Sequence, residues 1–134
     1  TSQKVKIIDR FSDCDSHIFV NGSLFEWVLE NLCKNAVDAM TGEGRITIYA
    51  LQENDKVIVD VEDTGKGIEK KNIKNVFRPG FTTKKRGWGL GLSLAKRIVE
   101  EYHDGKISVL RSEIGVGTTF RIILQAVKNE DCSK

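Results

Sequence analysis

The hydrophobic residues recur with helical spacing in two segments of the chain. In 23–40 they return every three or four positions, and they are Leu24, Trp27, Val28, Leu32, Ala36, Val37 and Met40. Ser23 followed by Glu26 matches the capping box that begins many helices. The segment 90–102 carries a second stripe, formed by Leu90, Leu94, Ala95, Ile98 and Val99. Both spacings predict an amphipathic helix that buries one face.

Alternating or continuous β-branched and apolar residues predict strands in the rest of the chain. These segments are 4–11, 17–20, 45–52, 56–63, 105–113 and 117–127. The residues 53–56, Glu-Asn-Asp-Lys, predict a hairpin loop, and the last two strands predict a second hairpin. Two hairpins separated by a helix indicate an α+β fold, in which a mixed, mostly antiparallel sheet packs on helices.

The overall composition narrows the class of protein. A length of 134 residues suits one domain, which we expect over 1–127, with a disordered tail at 128–134. A net charge of +2 gives no argument for nucleic acid, and no apolar run approaches the roughly 20 residues that span a membrane. The three cysteines have no CxxC spacing, so we expect neither a disulfide framework nor a zinc site. The same observation leads us to expect a cytoplasmic setting. Because the chain starts at Thr1 without methionine, we expect it to be cut from a longer protein, which could be membrane-anchored.

Glycine and basic residues concentrate between the two predicted helices. Residues 65–91 hold six of the twelve glycines, and 70–86 contain seven basic and no acidic residues. Gly87, Gly89 and Gly91 have the spacing G-x-G-x-G, which matches neither the dinucleotide fingerprint nor the P-loop. A loop that ends on a helix N-terminus favours an anion such as phosphate, and the alternative interpretation is a glycine hinge.

The segment Asp63-Thr-Gly65-Lys-Gly67-Ile68 suggests a site for a flat ring. Two positions without side chains allow close approach, and a carboxylate accepts a hydrogen bond from an exocyclic amine such as that of adenine. A tight turn is the alternative. Upstream, Asn31 and Asn35 share one helix face, so their amide oxygens could bind Mg²⁺ or simply be polar surface groups.

The segment from Phe77 to Lys84 offers hydroxyls and cations. Phe77 and Phe81 are followed by Thr82, Thr83 and Lys84, which could hold a triphosphate. A solvated basic loop is the alternative interpretation.

Taken together, the motifs NLCKNAVDAM, DTGKGI, VFRPGFTTKK, GWGLGLSLAKRIVEEY and GVGTTFRI closely resemble the catalytic, ATP-binding domain of bacterial sensor histidine kinases. The superfamily includes gyrase, the ninety-kilodalton heat-shock chaperone and the mismatch-repair ATPase, and the resemblance runs from Leu24 to Leu124. It implies the GHKL (Bergerat) fold, a two-layer α/β sandwich of a mostly antiparallel sheet on about three helices. It also implies binding of ATP and Mg²⁺, and transfer of the γ-phosphoryl group to a histidine in two-component signalling. That histidine lies on a separate helical dimerisation domain, absent here, and a response regulator acts downstream. No contact with nucleic acid or membrane is expected.

The resemblance assigns roles residue by residue. Asn35 matches the asparagine that holds Mg²⁺, Asn31 matches a helper one turn earlier, Asp63 matches the aspartate that reads the adenine amine, and Thr118 matches a threonine behind the adenine. The remaining nucleotide-binding positions are Gly65, Gly67, Ile68, Phe77, Thr82, Thr83, Lys84, Gly87, Gly89, Leu90, Gly91 and Leu92. Asn31, Asn35, Lys84 and, as a weaker candidate, Glu30 are the expected catalytic residues.

Some positions depart from the family pattern. Hydrolytic members carry a glutamate where this chain has Asn31, and Glu30 lies about 100° around the helix from it. This difference favours a kinase over a hydrolytic ATPase, and a degenerate binding module is the other alternative. Gly80 and Trp88 replace more usual residues in the lid over the nucleotide. His17 and His103 lie outside any helical hairpin, so neither matches the family's phosphoacceptor.

Overall fold

The chain forms one layered arrangement of a sheet and helices in the computed structural model, which describes residues 4–11, 17–18, 22–40, 43–80, 91–102 and 104–127. The strands are β1 Lys4–Phe11, β2 His17–Ile18, β3 Glu43–Glu53, β4 Lys56–Asp63, β5 Lys106–Glu113 and β6 Gly117–Val127. The helices are α1 Gly22–Met40, a 3₁₀ helix Lys70–Asn75, and α2 Gly91–Arg97, which continues as a π-helical stretch Ile98–Tyr102.

The sheet has the mixed, mostly antiparallel character that the sequence predicts. The strand order is β1-β3-β4-β6, with β5 and β2 also paired to β6, and β1 is the strand that runs parallel to its neighbour, β3. The pairs β3–β4, β4–β6 and β5–β6 are antiparallel, and both predicted hairpins are present. The α+β class and the two-layer arrangement are thus confirmed.

The first two strands are neighbours in sequence but do not pair with each other. β1 pairs with β3, whereas β2 pairs with the last two residues of β6, so the two lie at opposite ends of the strand order. A parallel pair needs a long crossover connection, and α1 lies between β1 and β3 in the chain, where it supplies one.

The core lies between the helices and one face of the sheet. α1 contributes Val28, Leu32, Ala36 and Met40, which are at most 4% exposed and recur every four residues. Ala95, Ile98 and Val99 are buried from the second helix, as predicted, but Leu94 is 41% exposed. Leu94 stands about 100° from Ala95 around the helix axis, so the buried stripe is narrower than the sequence indicates. The sheet residues of the core are Ile46, Val59, Val61, Ile107, Phe120, Ile122 and Leu124.

The opposite face of the sheet carries ion pairs between strands beside exposed apolar residues such as Tyr49 and Leu51. Arg121 donates two hydrogen bonds of 2.8 Å to the carboxylate of Asp60, and Arg111 donates one of 3.1 Å to Glu62. These pairs join β4 to β6 and β5 on the face that points away from the core.

The helix boundaries differ slightly from the prediction. α1 begins at Gly22, one residue before Ser23, and the second helix ends as a π-helix at Tyr102. The 3₁₀ helix falls in the segment that the sequence marks as loop-rich. Within the described residues, no helix has the length and the apolar character needed to span a membrane. The predicted tail, 128–134, is outside the described residues.

Candidate functional site

Asp63 is the last residue of β4, where the sheet meets the end of α1. It is 7% exposed, and its Oδ1 accepts hydrogen bonds from the backbone N–H groups of Gly65, at 2.8 Å, and Thr118, at 3.3 Å. Among the described residues, no group donates to Oδ2. The side chain is therefore fixed through one oxygen while the other is available to a hydrogen-bond donor.

The environment of Asp63 opposes its ionisation. Burial raises the pKa of this carboxyl above its ordinary value, and the nearby charge of Glu62 adds a smaller effect in the same direction. The N–H groups of Gly65 and Thr118 act against this shift because they stabilise the carboxylate. A ligand that brings a further N–H donor to Oδ2 would favour the ionised form in the same way.

The loop 64–68 is held between α1 and the β5–β6 hairpin. Lys66 N–H donates to the carbonyl of Ala39, and Gly115 N–H donates to the carbonyl of Lys66, both at 2.9 Å. A Cβ atom on Gly65 would come within 2.7 Å of the Ala39 Cβ, so this position has no room for a side chain. The loop thus lies in close contact with backbone on both sides.

Gly67 is required by both conformation and packing. Its φ is +83°, and a Cβ atom there would meet the carbonyl oxygen of Glu113 and the Cα of Ile114. Any other residue at this position would push the loop away from the hairpin.

Ser112 is a residue of this site that sequence reasoning missed. Its Oγ accepts a hydrogen bond of 2.8 Å from Ile68 N–H, and it lies 2.7 Å from the Oγ1 of Thr118. It also contacts the carbonyl of Gly117 at 3.4 Å. A lone serine in a strand carries no distinctive pattern, so its role depends on the pairing of β5 with β6 and could not be read from spacing.

One face of α1 connects Asp63 to the start of α2. Asn31, Asn35 and Ala39 recur every four residues on this face. The Nδ2 of Asn31 donates to the carbonyl of Trp27 at 2.9 Å, and its Oδ1 lies 3.0 Å from where a Cβ on Gly91 would be. Asn35 is half-buried between these two ends, and Glu30 is exposed.

Phe77 joins the beginning of the basic loop to the core and to α2. Its ring meets the ring of Phe120 edge-on, with the centroids 6.0 Å apart and an interplanar angle of 81°. The Nζ of Lys96 lies 5.7 Å from the Phe77 ring centroid. Lys96, like Ser112, carries no motif that would have identified it.

The structure therefore brings some of the predicted site residues together, and others lie outside the described residues. Asp63, Gly65, Ile68 and Thr118 are linked by hydrogen bonds, and Gly67 packs beside them. Gly91 and Leu92 begin α2, and Leu92 packs on the core. Six predicted positions lie outside the described residues, namely Thr82, Thr83, Lys84, Gly87, Gly89 and Leu90.

The arrangement is suited to binding a ligand, with the Asp63 carboxylate as a hydrogen-bond acceptor at one end. In the described part of the chain, no three His, Cys, Asp or Glu side chains are grouped to hold a metal. A metal here would take amide oxygen from Asn35 or Asn31 together with oxygen from a ligand or water, a set that suits Mg²⁺.

Known proteins match most of this chain, including the residues of the candidate site. Residues 21–128 match the model of the family described as "Histidine kinase-, DNA gyrase B-, and HSP90-like ATPase". Sporulation kinase C of Bacillus subtilis is 32% identical over 122 residues, which cover 90% of this chain and 28% of that kinase. The signal transduction histidine-protein kinase AtoS of Escherichia coli is 40% identical over 121 residues, covering 87% and 20%. The chain thus spans less than a third of the length of either relative.

Solved structures agree with the fold. The catalytic domain of the histidine kinase ThkA, in a nucleotide-free form, matches with a TM-score of 0.80 and 30% sequence identity, covering 90% of this chain and 78% of that one. ThkA in complex with the response regulator TrrA matches with a TM-score of 0.77 and 28% identity, covering 92% and 34%.

Proposed function

The chain belongs to the histidine kinase-, DNA gyrase B- and HSP90-like ATPase family, and we propose that it binds ATP with Mg²⁺ and donates the γ-phosphoryl group to a histidine. The acceptor is on a separate helical phosphoacceptor domain of the parent kinase. In this proposal the domain works in the cytoplasm as the catalytic part of a two-component system.

Asp63 is the residue that reads the base in this proposal. Its Oδ1 is occupied by two backbone donors, so Oδ2 accepts the exocyclic amine of adenine. Gly65 and Gly67 let the loop pack closely against α1 and the hairpin, which sets its position beside Asp63, and Ile68 and Thr118 line the same pocket. The single observation that carries the proposal is a buried carboxylate whose Oδ2 accepts no hydrogen bond from the described residues.

The phosphates lie along the Asn31–Asn35 face of α1. Asn35, with Asn31 beside it, would hold Mg²⁺ through amide oxygen. When bound, Mg²⁺ neutralises charge on the transferring phosphoryl group. The other phosphate contacts come from Thr82, Thr83 and Lys84, and from the amides of Gly87, Gly89 and Gly91 with Leu90 and Leu92 between and after them. Phe77 borders this end of the site.

The transfer needs positioning more than base catalysis. The bond between the γ-phosphorus and the bridging oxygen breaks, a bond to an imidazole nitrogen forms, and ADP leaves. Imidazole is already a nucleophile at neutral pH, so a glutamate at position 31 is unnecessary. Lys84 would stabilise the phosphoryl charge, and Glu30, which is exposed on α1, would orient the incoming histidine.

The partners follow from the reaction. The product phosphohistidine passes its phosphoryl group to a response regulator, and ThkA, a relative in fold and sequence, has been solved in complex with one. We propose the same order of partners for the parent of this chain.

A phosphotransfer assay tests the proposal. The domain, ATP and Mg²⁺ are mixed with the parent's helical phosphoacceptor domain, and acid-labile phosphorylation is measured. Asp63→Asn should weaken ATP binding about 10- to 100-fold, because a hydrogen bond to a charged acceptor is lost. Asp55→Asn, at an exposed aspartate in the β3–β4 turn, is the matched control and should bind as the wild type does.

The other outcomes separate the alternatives. A wild-type domain without affinity for ATP would refute the proposal. Binding without transfer would favour a binding module, and steady hydrolysis in the absence of the acceptor domain would favour a hydrolytic ATPase.

A further inference from the structure

Charge is distributed unevenly between the loop-rich segment and the rest of the chain. Residues 64–90 contain eight basic residues and one acidic residue, a net charge of +7, so the rest of a chain with a net charge of +2 carries −5. The nearly balanced total does not reveal this separation. An anion that approaches the protein is therefore attracted by one segment and repelled by the remainder.

The described part of this segment presents its cations to solvent. We call residues 66–78 the cationic segment, and its exposed basic residues are Lys66, Lys70, Lys71, Lys74 and Arg78. The 3₁₀ helix at its centre, Lys70–Asn75, buries none of its residues. Because such a helix has three residues per turn and rises about 2 Å per residue, Lys71 and Lys74 lie on one side about 6 Å apart.

Acidic neighbours leave most of this positive charge in place. Within the described residues, Lys71 is the member of the segment with an ion-pair partner, the Glu69 carboxylate at 3.5 Å, and the two side chains are 78% and 61% exposed. Water screens a pair this exposed, so it contributes little. Glu113 is exposed on the hairpin beside Gly67, and a single carboxylate there does not balance the remaining cations.

The cationic segment extends from one end of the candidate site to the other. It begins in the loop that follows Asp63, where Lys66 N–H donates to the carbonyl of Ala39 at 2.9 Å. It ends at Arg78, directly after Phe77, whose ring packs on the core at the end where we place the phosphates. Its cations therefore lie next to both ends of the proposed nucleotide site.

We propose that the cationic segment steers nucleoside triphosphates electrostatically, so that it speeds their entry into the site without holding the bound ligand. The inference rests on the proposed nucleotide-binding function, and it extends that function to Lys70 and Lys74, which lie outside the sequence motifs. Exposed charges at the rim of a site change the association rate and its salt dependence, whereas buried pairs change the dissociation rate.

The expected size of the effect follows from Coulomb's law. In water at low salt, one lysine about 10 Å from a dianion such as MgATP should raise its association rate about threefold. Two lysines together should give about sevenfold. MgADP has one negative charge fewer, so the same two lysines should give about threefold.

The test measures association and dissociation rates by stopped flow. The ligands are the fluorescent analogues mant-ATP and mant-ADP with Mg²⁺, at salt concentrations of about 0.01 M and about 1 M, where the Debye length is about 30 Å and about 3 Å. At low salt, Lys70→Gln with Lys74→Gln should slow the association of mant-ATP about sevenfold and of mant-ADP about threefold. The dissociation rates should not change, and the difference from the wild type should disappear at high salt.

Two further double variants control for charge and for location. Lys70→Arg with Lys74→Arg keeps both charges and should bind at the wild-type rate. Lys56→Gln with Lys106→Gln removes two exposed lysines at the far end of the sheet, where their partners in β6 are two residues apart. Lys56 begins β4 and Asp63 ends it, so about 24 Å of strand separates them. This pair should slow mant-ATP less than about twofold.

Three results would overturn the inference. They are a faster dissociation with an unchanged association rate, which would mean that the lysines hold the bound ligand, a slowing that persists at high salt, and equal slowing by the pair at the far end of the sheet. In each case the proposed function stands, since the wild type still binds. A wild type that binds neither nucleotide would refute the proposed function, and this inference with it.

Discussion

Two ends of the site carry comparably distinctive motifs, but they are held by different kinds of contact. The Asp63 end consists of residues 63–68 and 112–118, and backbone hydrogen bonds of 2.9 Å tie its loop to α1 and to the hairpin. The Phe77 end consists of Asn31, residues 77–80, Gly91 and Lys96. Ring packing, a cation over a ring and one close amide approach join these segments to each other and to the core, while the hydrogen bonds of Asn31 and Arg78 stay within their own segments.

This difference indicates that the Asp63 end recognises the ligand, while the Phe77 end can change its side-chain arrangement. A buried carboxylate can read a base only if its surroundings do not move, and at the Asp63 end backbone N–H groups hold Oδ1 while backbone hydrogen bonds fix the loop. The Phe77 end joins elements through side chains, which change rotamer at lower cost than backbone. We therefore expect substitutions at the Asp63 end to reduce stability and those at the Phe77 end to affect it less.

The largest contrast should come from two glycines with the same backbone angle. Gly67 has φ +83° and is packed on the hairpin, while Gly80 has φ +85° and has nothing within 4 Å of a Cβ. Gly67→Ala should lower the unfolding free energy by about 3 kcal/mol, because strain and overpacking add, and Gly80→Ala by about 1 kcal/mol from strain alone. Thermal melts measure both, and equal effects would contradict the difference between the two ends.

A smaller, pH-dependent effect is expected from Asp63. Because burial raises its pKa, the folded protein holds this proton more tightly than the unfolded chain. The associated stability is present below the ordinary pKa of about 3.9 and is lost as the pH rises through the raised value. The unfolding free energy of the wild type relative to Asp63→Asn should therefore fall as the pH increases across this range. A difference that stays constant in melts at several pH values would contradict it.

The contact between Asn31 and Gly91 should give a coupling of about 1 kcal/mol. Gly→Ala stabilises a helix interior by about that amount and the first residue of a helix by less, and here the new Cβ would lie 3.0 Å from the Asn31 Oδ1. Gly91→Ala should be close to neutral in the wild type and stabilising in an Asn31→Ala background. A double-mutant cycle by chemical denaturation measures the coupling, and additive effects would mean that the amide yields freely.

The smallest effect should come from Lys96. Lys96→Met keeps the apolar stem and removes the cation above Phe77, which should cost about 0.5 kcal/mol. Lys96→Arg retains the charge and should melt within error of the wild type. If Lys96→Met destabilised as strongly as Gly67→Ala, the Phe77 end would be as rigid as the Asp63 end.

The sequence predicts the helices and strands well where burial against the core gives the apolar residues a regular spacing. The apolar stripe of α1 and the alternation in β3, β4 and β6 follow from packing against one core, so spacing is enough to find them. Leu94 is the exception in the second helix, because spacing alone does not give the width of the buried stripe.

The candidate site is predicted where a motif is local and missed where two segments must meet. Asp63, Gly65 and Gly67 stand together in sequence, and so do Asn31 and Asn35. Ser112 and Lys96 contribute through strand pairing and helix packing, which no spacing within their own segments reveals. The separation of β1 from β2 has the same origin, since pairing partners are decided by the whole sheet.

The straight face of α1 sets a fixed distance inside the molecule. From Asn31, which meets Gly91, to Ala39, which meets Gly65, the helix rises about 12 Å, and this length is the same whatever happens in the loops. Inserting one residue between them would turn Asn31 by about 100° away from Gly91 while Ala39 remained in contact. A designer who wished to enlarge this site for a longer ligand would have to add about 7 or 11 residues to α1, which are close to two or three whole turns. Lengthening a loop would leave the spacing unchanged.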